Sequence, residues 1–244
     1  MRNFKSILMA TSAAVVLISC TEEDTALNTE QSEVTISATV GNSYDDPNAR
    51  IADLVYGNIA ITDVRMSVDN IKMIVRATAP GSNKPDIVQI RTKNPHTLTL
   101  VNNGNVVVAP VGAGMVYNGV YGRVDFDLVK AADVPQTDEM YGYSVITKAT
   151  WFGVPAVMYI DLEDKLVMQF NKGLEVTGAQ DLLLTLYMDK FLEGVSPTLV
   201  TDGNGDGLIE VGPNGEDGNE EAYEAILANI KDALVLKNGD FKVK

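Results

Sequence analysis

The sequence predicts a mainly β protein: an antiparallel sandwich with one C-terminal helix that follows an acidic loop. Three observations carry this expectation. Short runs of alternating apolar and polar residues recur along the chain, which is the period of a strand with one buried face. Clusters of Gly, Asn and Pro separate the runs, as hairpins require. Only near the C-terminus does the apolar spacing lengthen to the 3.6-residue period of a helix.

The first strand covers 33–40, where Val34, Ile36, Ala38 and Val40 alternate with Glu33, Thr35, Ser37 and Thr39. Asn42 to Asn48, with Asp45-Asp46-Pro47, reads as a loop. Two β-rich runs follow, Asn58 to Val64 and Arg65 to Arg76, with Asp69-Asn70 marking a bulge or a tight turn. Pro80 to Pro85 breaks the pattern, and Asp86 to Thr92 resumes it. Thr97 to Val101 and Asn105 to Ala109 flank Asn102-Asn103-Gly104 as a hairpin. In the next strand Val120, Gly122, Val124, Phe126 and Leu128 form an apolar face against Tyr121, Arg123, Asp125 and Asp127. Tyr141 to Phe152 and Val154 to Leu162 make a second hairpin around Gly153, and Leu166 to Phe170 is a further strand. Gln180 to Asp189 fits helix or strand. Because Leu182, Leu184, Leu186 and Met188 alternate while Leu183 and Tyr187 fill the other face, it reads as a strand buried on both sides.

The helix is expected over 219–235. Tyr223, Ile226, Leu227, Ile230 and Leu234 share one face, with Glu220, Glu224, Asn229 and Lys231 opposite. Asp217 or Asn219 is its N-cap, and Glu220 and Glu221 suit the positive end of the helix dipole. Phe241 to Val243 reads as a last edge strand.

The N-terminus carries an address. Arg2 and Lys5 precede an apolar run, Ile7 to Ile18, too short for the roughly 20 residues of a membrane-spanning helix. A basic start, a short apolar core and a small residue before the cut describe a secretory signal. Leu17-Ile18-Ser19-Cys20, which contains the one cysteine in the chain, resembles the lipobox of bacterial lipoproteins. That resemblance implies removal of 1–19 and acylation of Cys20, with the chain held to a membrane by its acyl chains. Residues 20–32 are polar, with too little apolar surface to order themselves, and form a tether. Thr21-Glu22-Glu23-Asp24 also resembles the signal that sends some Gram-negative lipoproteins to the outer leaflet, so the expected location is the outer membrane, exposed at the cell surface.

Charge excludes one class of partner. From Cys20 onward, 17 basic residues remain against 33 acidic ones, a net of about −16. No basic run is visible in the sequence for the phosphates of a nucleic acid. With its single cysteine acylated, the chain has no intramolecular disulfide, and 33–244 must rest on packing and on any bound metal. Val68-Asp69-Asn70-Ile71, Gly119-Val120-Tyr121-Gly122-Arg123-Val124 and the Leu184 to Asp189 run resemble segments of immunoglobulin-like or transthyretin-like sandwiches found in surface lipoproteins of unknown function. The resemblance implies a fold and leaves the activity open.

The chemistry gathers in 201–218. Asp202, Asn204 and Asp206 occupy alternate positions, followed by Gly207, Leu208, Ile209 and Glu210. A chain wrapped around a hard cation presents alternate oxygens inward, with glycine at the sharp turn. The pattern resembles the first nine positions of an EF-hand or dockerin-type calcium loop. It implies side-chain oxygens from Asp202, Asn204 and Asp206, the carbonyl of Leu208, and Glu210 directly or through water, while Ile209 packs inward. The twelfth position, normally a bidentate acid, is Pro213, so Glu216 or Asp217 must close the shell. No helix precedes the loop, since Pro197 stands five residues before Asp202; a paired, switching EF-hand is not expected. Calcium bound here would be structural and weak, on the order of 10⁻⁴ M as in extracellular modules.

Catalysis finds little support. His96 is the one histidine, and no serine sits in a Gly-x-Ser-x-Gly elbow. A glycosidase pair among the 33 acids has no distinguishing spacing. Tyr141, Tyr143 and Trp151 near one hairpin form a candidate sugar platform, though strand aromatics are more often core. The expected function is a noncatalytic lipid-anchored surface protein, a binding or structural module with a calcium-stabilised loop. The alternative is a fimbrial or adhesin subunit matured by cleavage after Arg50, as in the fimbrillin pattern. A glycan-binding protein or hydrolase ranks below both.

Overall fold

The structure, a computed structural model, describes residues 30–44, 54–76, 87–91, 94–196 and 200–238. Cys20, Arg50, Pro197 and Phe241 to Val243 lie outside the described residues, as do the signal segment and the Asp45-Asp46-Pro47 and Pro80 to Pro85 breaks.

The chain runs through fourteen strands among the described residues. The first group is β1 (Gln31–Gly41), β2 (Val55–Tyr56), β3 (Ile59–Val75), β4 (Ile87–Gln89), β5 (His96–Asn102), β6 (Asn105–Val106) and β7 (Ala109–Tyr117). Then come β8 (Gly119–Leu128), β9 (Val145–Trp151), β10 (Val154–Ile160), β11 (Asp164–Val176) and β12 (Gln180–Tyr187). A short helix α1 (Met188–Phe191), β13 (Ile209–Val211), helix α2 (Glu220–Ala233) and β14 (Leu234–Asn238) complete it. Four strands form one sheet in the order β14-β12-β1-β7. The other follows β11-β8-β3-β9-β10-β13, with β2, β4, β5 and β6 attached around β3.

The sandwich-like, mainly β expectation holds, and strict antiparallelism does not. β1 runs parallel to β12 from Val34↔Gln180 to Gly41↔Tyr187, and β10 runs parallel to β13. Alternation in a sequence fixes which face a strand buries; it carries no information about the direction of its neighbour. β1 begins at Gln31, so the last two residues assigned to the tether belong to the sheet. Its inward residues Val34, Ile36, Ala38 and Val40 are 0–4% exposed.

β3 is one strand where the sequence suggested two runs, and it is the spine of the larger sheet. Its first half pairs with β9 and β5, its second with β8 and β4. Between the halves the register to β8 shifts across Asp69/Lys72, and Asn70 sits at φ 49°. This is the bulge option for Asp69-Asn70. A second shift, between Ile74/Val75 and Arg123/Tyr121, inserts Gly122 as an extra residue in β8. It reverses the expected faces at the start of that strand: Tyr121 turns inward at 1% exposure, and Val120 turns out at 40%. Gly173 in β11 completes this corner. Its φ is +81°, and a Cβ there would lie 2.3 Å from Val120 Cγ1, so only glycine fits.

Both hairpins form as expected, around Asn103-Gly104 and around Phe152-Gly153. β12 is buried on both faces from Leu182 to Tyr187. α2 packs Ala222, Tyr223, Ile226, Ile230 and Ala233 inward, and Asn229 Nδ2 bonds the carbonyls of Phe191 and Glu193. The last described strand is β14, directly after α2; it pairs with β12 as the edge of the smaller sheet. A separate small core of Ala131, Met140, Ile146 and Val157 lies under the β8–β9 connection. Arg65 clamps that connection through Asp138 at 2.6 and 3.2 Å.

Candidate metal site

The acidic loop hangs between α1 and β13 and folds back on the turn that leads into α2. Its acids bond its own backbone. Asp202 Oδ1 accepts the N–H groups of Gly205 (2.7 Å) and Asp206 (3.1 Å), and Oδ2 accepts that of Gly207 (2.9 Å). Asn204 Oδ1 accepts from Asp206 N, and Asp206 Oδ1 from Leu208 N, both at 2.9 Å. Each is an Asp or Asn side chain bonding an amide two to five residues on, the local chemistry that makes these residues turn formers.

Two later residues lock the loop. Asp217 accepts Asn204 N–H at 3.3 Å and Glu210 N–H at 2.8 Å. It holds φ 55° inside the 3₁₀ turn Glu216–Gly218, a conformation that Asp tolerates better than most residues. Of the two acids offered as the closing residue, Asp217 is the one turned into the loop. Glu216 instead takes both N–H groups of Asn214 at 2.9 Å. Asn219 stands at the N-cap of α2, yet its side chain makes no capping bond. It is 1% exposed, receives Thr201 N–H at 2.9 Å and donates to the carbonyls of Thr201 (2.9 Å) and Glu210 (2.7 Å). Thus one buried amide ties the loop's two ends together.

Glu210 shows the electrostatic consequence. Burial first, then the Asp217, Asp206 and Glu216 carboxylates, push its carboxyl above the ordinary value of 4.5. Like charges therefore converge on this residue. Ile209 packs inward as expected, at 5% exposure, and Leu208 packs on the small core under the β8–β9 connection. The donor set of Asp202, Asn204, Asp206, Glu210 and Asp217, with the Leu208 carbonyl, is all oxygen and suits calcium by its chemistry. Among the described residues no group of three or more His, Cys, Asp or Glu side chains stands arranged around a metal position. The loop carboxylates face amides instead.

The aromatic residues fall out differently from the sequence reading. Trp151 is 2% exposed and belongs to the core, so it offers no sugar platform. Tyr141 is exposed, and Tyr143 packs against Tyr159 with ring centroids 4.9 Å apart and planes at 36°. Tyr159, in β10, is not among the aromatics that the sequence reading singles out. A cleft also opens between β11 and β14, lined by Phe170, Leu174, Glu175, Leu236 and Lys237. His96 begins β5 and is half-buried.

The described residues thus define a mainly β, sandwich-like protein with a self-bonded acidic loop ahead of its C-terminal helix, and no described helix is long and apolar enough to cross a membrane. No family model matches the chain, and no curated protein sequence matches it. Among solved structures it is similar to MbnP from Methylosinus trichosporium, at 13% identity over 86% of this chain and 99% of that one, with a TM-score of 0.44.

Proposed function

We propose that the protein is a noncatalytic lipoprotein, anchored through Cys20 to the outer membrane and exposed at the cell surface. In this reading it is a binding or structural module of the immunoglobulin-like or transthyretin-like kind, with calcium holding the acidic loop. The observation that supports the calcium reading is the approach of the Asp217, Asp206 and Glu216 carboxylates to Glu210, whose carboxyl is pushed up by burial and by these charges. A divalent cation reverses that repulsion. Bound there, it would link the loop to the entry of α2 and supply structure rather than chemistry. Calcium is expected to raise the thermal midpoint, and Asp202→Ala with Asp206→Ala to remove the rise; a wild type indifferent to calcium rejects the site. For the anchor, Cys20→Ser should move the protein out of the membrane fraction.

A second reading, a fimbrial subunit cut after Arg50, draws support from the position of β1. Cleavage there would remove a strand that lies between β12 and β7 and open a slot along both. Intact mass separates the two readings: a chain beginning at Ile51 favours the subunit, an acylated Cys20 the anchored protein.

A further inference from the structure

We propose that the outward face of β4-β3-β8-β11 docks on an anionic lipid surface and turns the acidic loop away from it. The inference rests on the lipid anchor proposed above and adds the orientation of the body. Strand register assembles the face. Ile87, Ile74, Arg123 and Gln169 stand in one row across the four strands, and Gln89, Lys72, Asp125 and Val167 in the next. Beyond the Gly122 bulge the last row holds Val120, whose carbonyl accepts the Arg76 N–H at 3.0 Å.

Two properties of this face point to lipid. It leaves aliphatic side chains in water: Ile87 is 52% exposed, Val167 43% and Val120 40%. Cations surround them in a chain of net charge −14. Asp125 is only 1% exposed and is held between Arg123 Nε (3.2 Å) and Lys165 Nζ (2.7 Å), which keep 44% and 51% of their side chains exposed. Asp125 offsets one of these two charges, so that Lys72, Arg76, Arg123 and Lys165 still outnumber the carboxylates of the face, Asp125, Glu175 and Asp127, with Lys72 and Asp127 half-buried. Aliphatic groups flanked by Lys and Arg match the boundary between acyl chains and anionic headgroups. The exposed acids of α2, Glu220, Glu221, Glu224 and Asp232, and Asp206 of the loop lie by β10 and β13, at the far edge of the sheet.

The entry point of the chain favours the same orientation. The Glu30 carbonyl accepts the N–H of Asn118 at 2.9 Å, immediately before the Gly119-Val120 corner of the face. Nine residues separate Cys20 from Glu30, and the ten steps between them span at most ~35 Å when fully extended. An anchor at Cys20 therefore keeps this corner near the bilayer at high effective concentration. Repulsion from the rest of the body is screened beyond a Debye length of about 8 Å, which leaves the nearest face to decide contact.

The test uses the acylated protein reconstituted in phosphatidylcholine vesicles with and without phosphatidylglycerol. An environment-sensitive dye is placed at Val167→Cys or, as the control, at Glu224→Cys on α2. With anionic vesicles the dye at 167 should shift to the blue and be quenched by brominated acyl chains, while the dye at 224 does neither. Lys72→Glu with Arg76→Glu, checked for folding by circular dichroism, should abolish the shift. A floating protein whose dye at 167 is unchanged overturns the proposal, as does an equal shift on neutral vesicles or with the charges reversed. A shift that grows with protein concentration and needs no vesicles assigns the face to a second copy and also overturns it. Protein that does not float with the vesicles refutes the anchor itself, a failure distinct from the others.

Discussion

Glu210 is the residue on which the loop's energetics turn. Its raised carboxyl means that the fold favours the protonated form. The stability this contributes is fully present below the ordinary value of 4.5 and is lost as pH rises through the raised one. Without calcium, Glu210→Gln is therefore expected to raise the thermal midpoint at about pH 7 and to change little near pH 4. With calcium the order should reverse at neutral pH, because the amide gives the cation a weaker partner; melting curves of both proteins across that range, with calcium and with chelator, check both signs. A second single-residue outcome concerns Gly173. Alanine there must hold φ +81° and meet Val120 Cγ1 at 2.3 Å, a loss of roughly 2–3 kcal/mol. Adding Val120→Ala should restore part of it in denaturant titrations. The alternation 120–128 predicted the faces of this strand correctly from Arg123 onward and wrongly before it. A bulge costs one residue of phase, and a glycine in a strand does not say whether it is one.

At the scale of the element, the acidic loop and α2 form one unit through Asn219. Asn219→Ala removes three hydrogen bonds and leaves the groups it satisfied without their partner. The expected cost is ~2–4 kcal/mol, taking about 1 kcal/mol per bond. Amide exchange should quicken in 201–210 before it does in α2, and a uniform increase across the chain would mean that the tie is not local. The sequence reading placed the loop and the helix after it, and left Glu216 and Asp217 open as the closing acid. Spacing alone could not choose between them, since the choice depends on the left-handed turn at Asp217. The N-cap position of Asn219 was legible and the use of its side chain was not: a residue at a helix N-cap has a competing partner only when another segment passes close by, and that segment is eighteen residues upstream.

At the scale of the whole molecule, β1 carries more than its length suggests. It is an inner strand with partners on both sides and four apolar residues at 0–4% exposure. Burial of about 1.5–3 kcal/mol for each large aliphatic side chain puts its removal within reach of the whole stability of a domain. A chain beginning at Ile51 should therefore fail to fold as a monomer, and an added peptide of 31–41 should restore a cooperative melt; a monomer that melts cooperatively alone would show the slot to be self-sealing. The sheet to which β1 belongs was not legible, because its strand pattern is compatible with any neighbour.

The parallel pairing of β1 with β12 has a consequence for how the protein is made. Thr35 reaches its partner Asp181 across 146 positions, so the first strand emerges long before the one it must lie beside. Contacts this remote slow folding and prolong the exposure of an unpaired apolar segment. Until β12 is made the early part of the chain should depend on a holding chaperone, and the late arrival of β12 should set the pace at which the nascent protein becomes resistant to proteolysis.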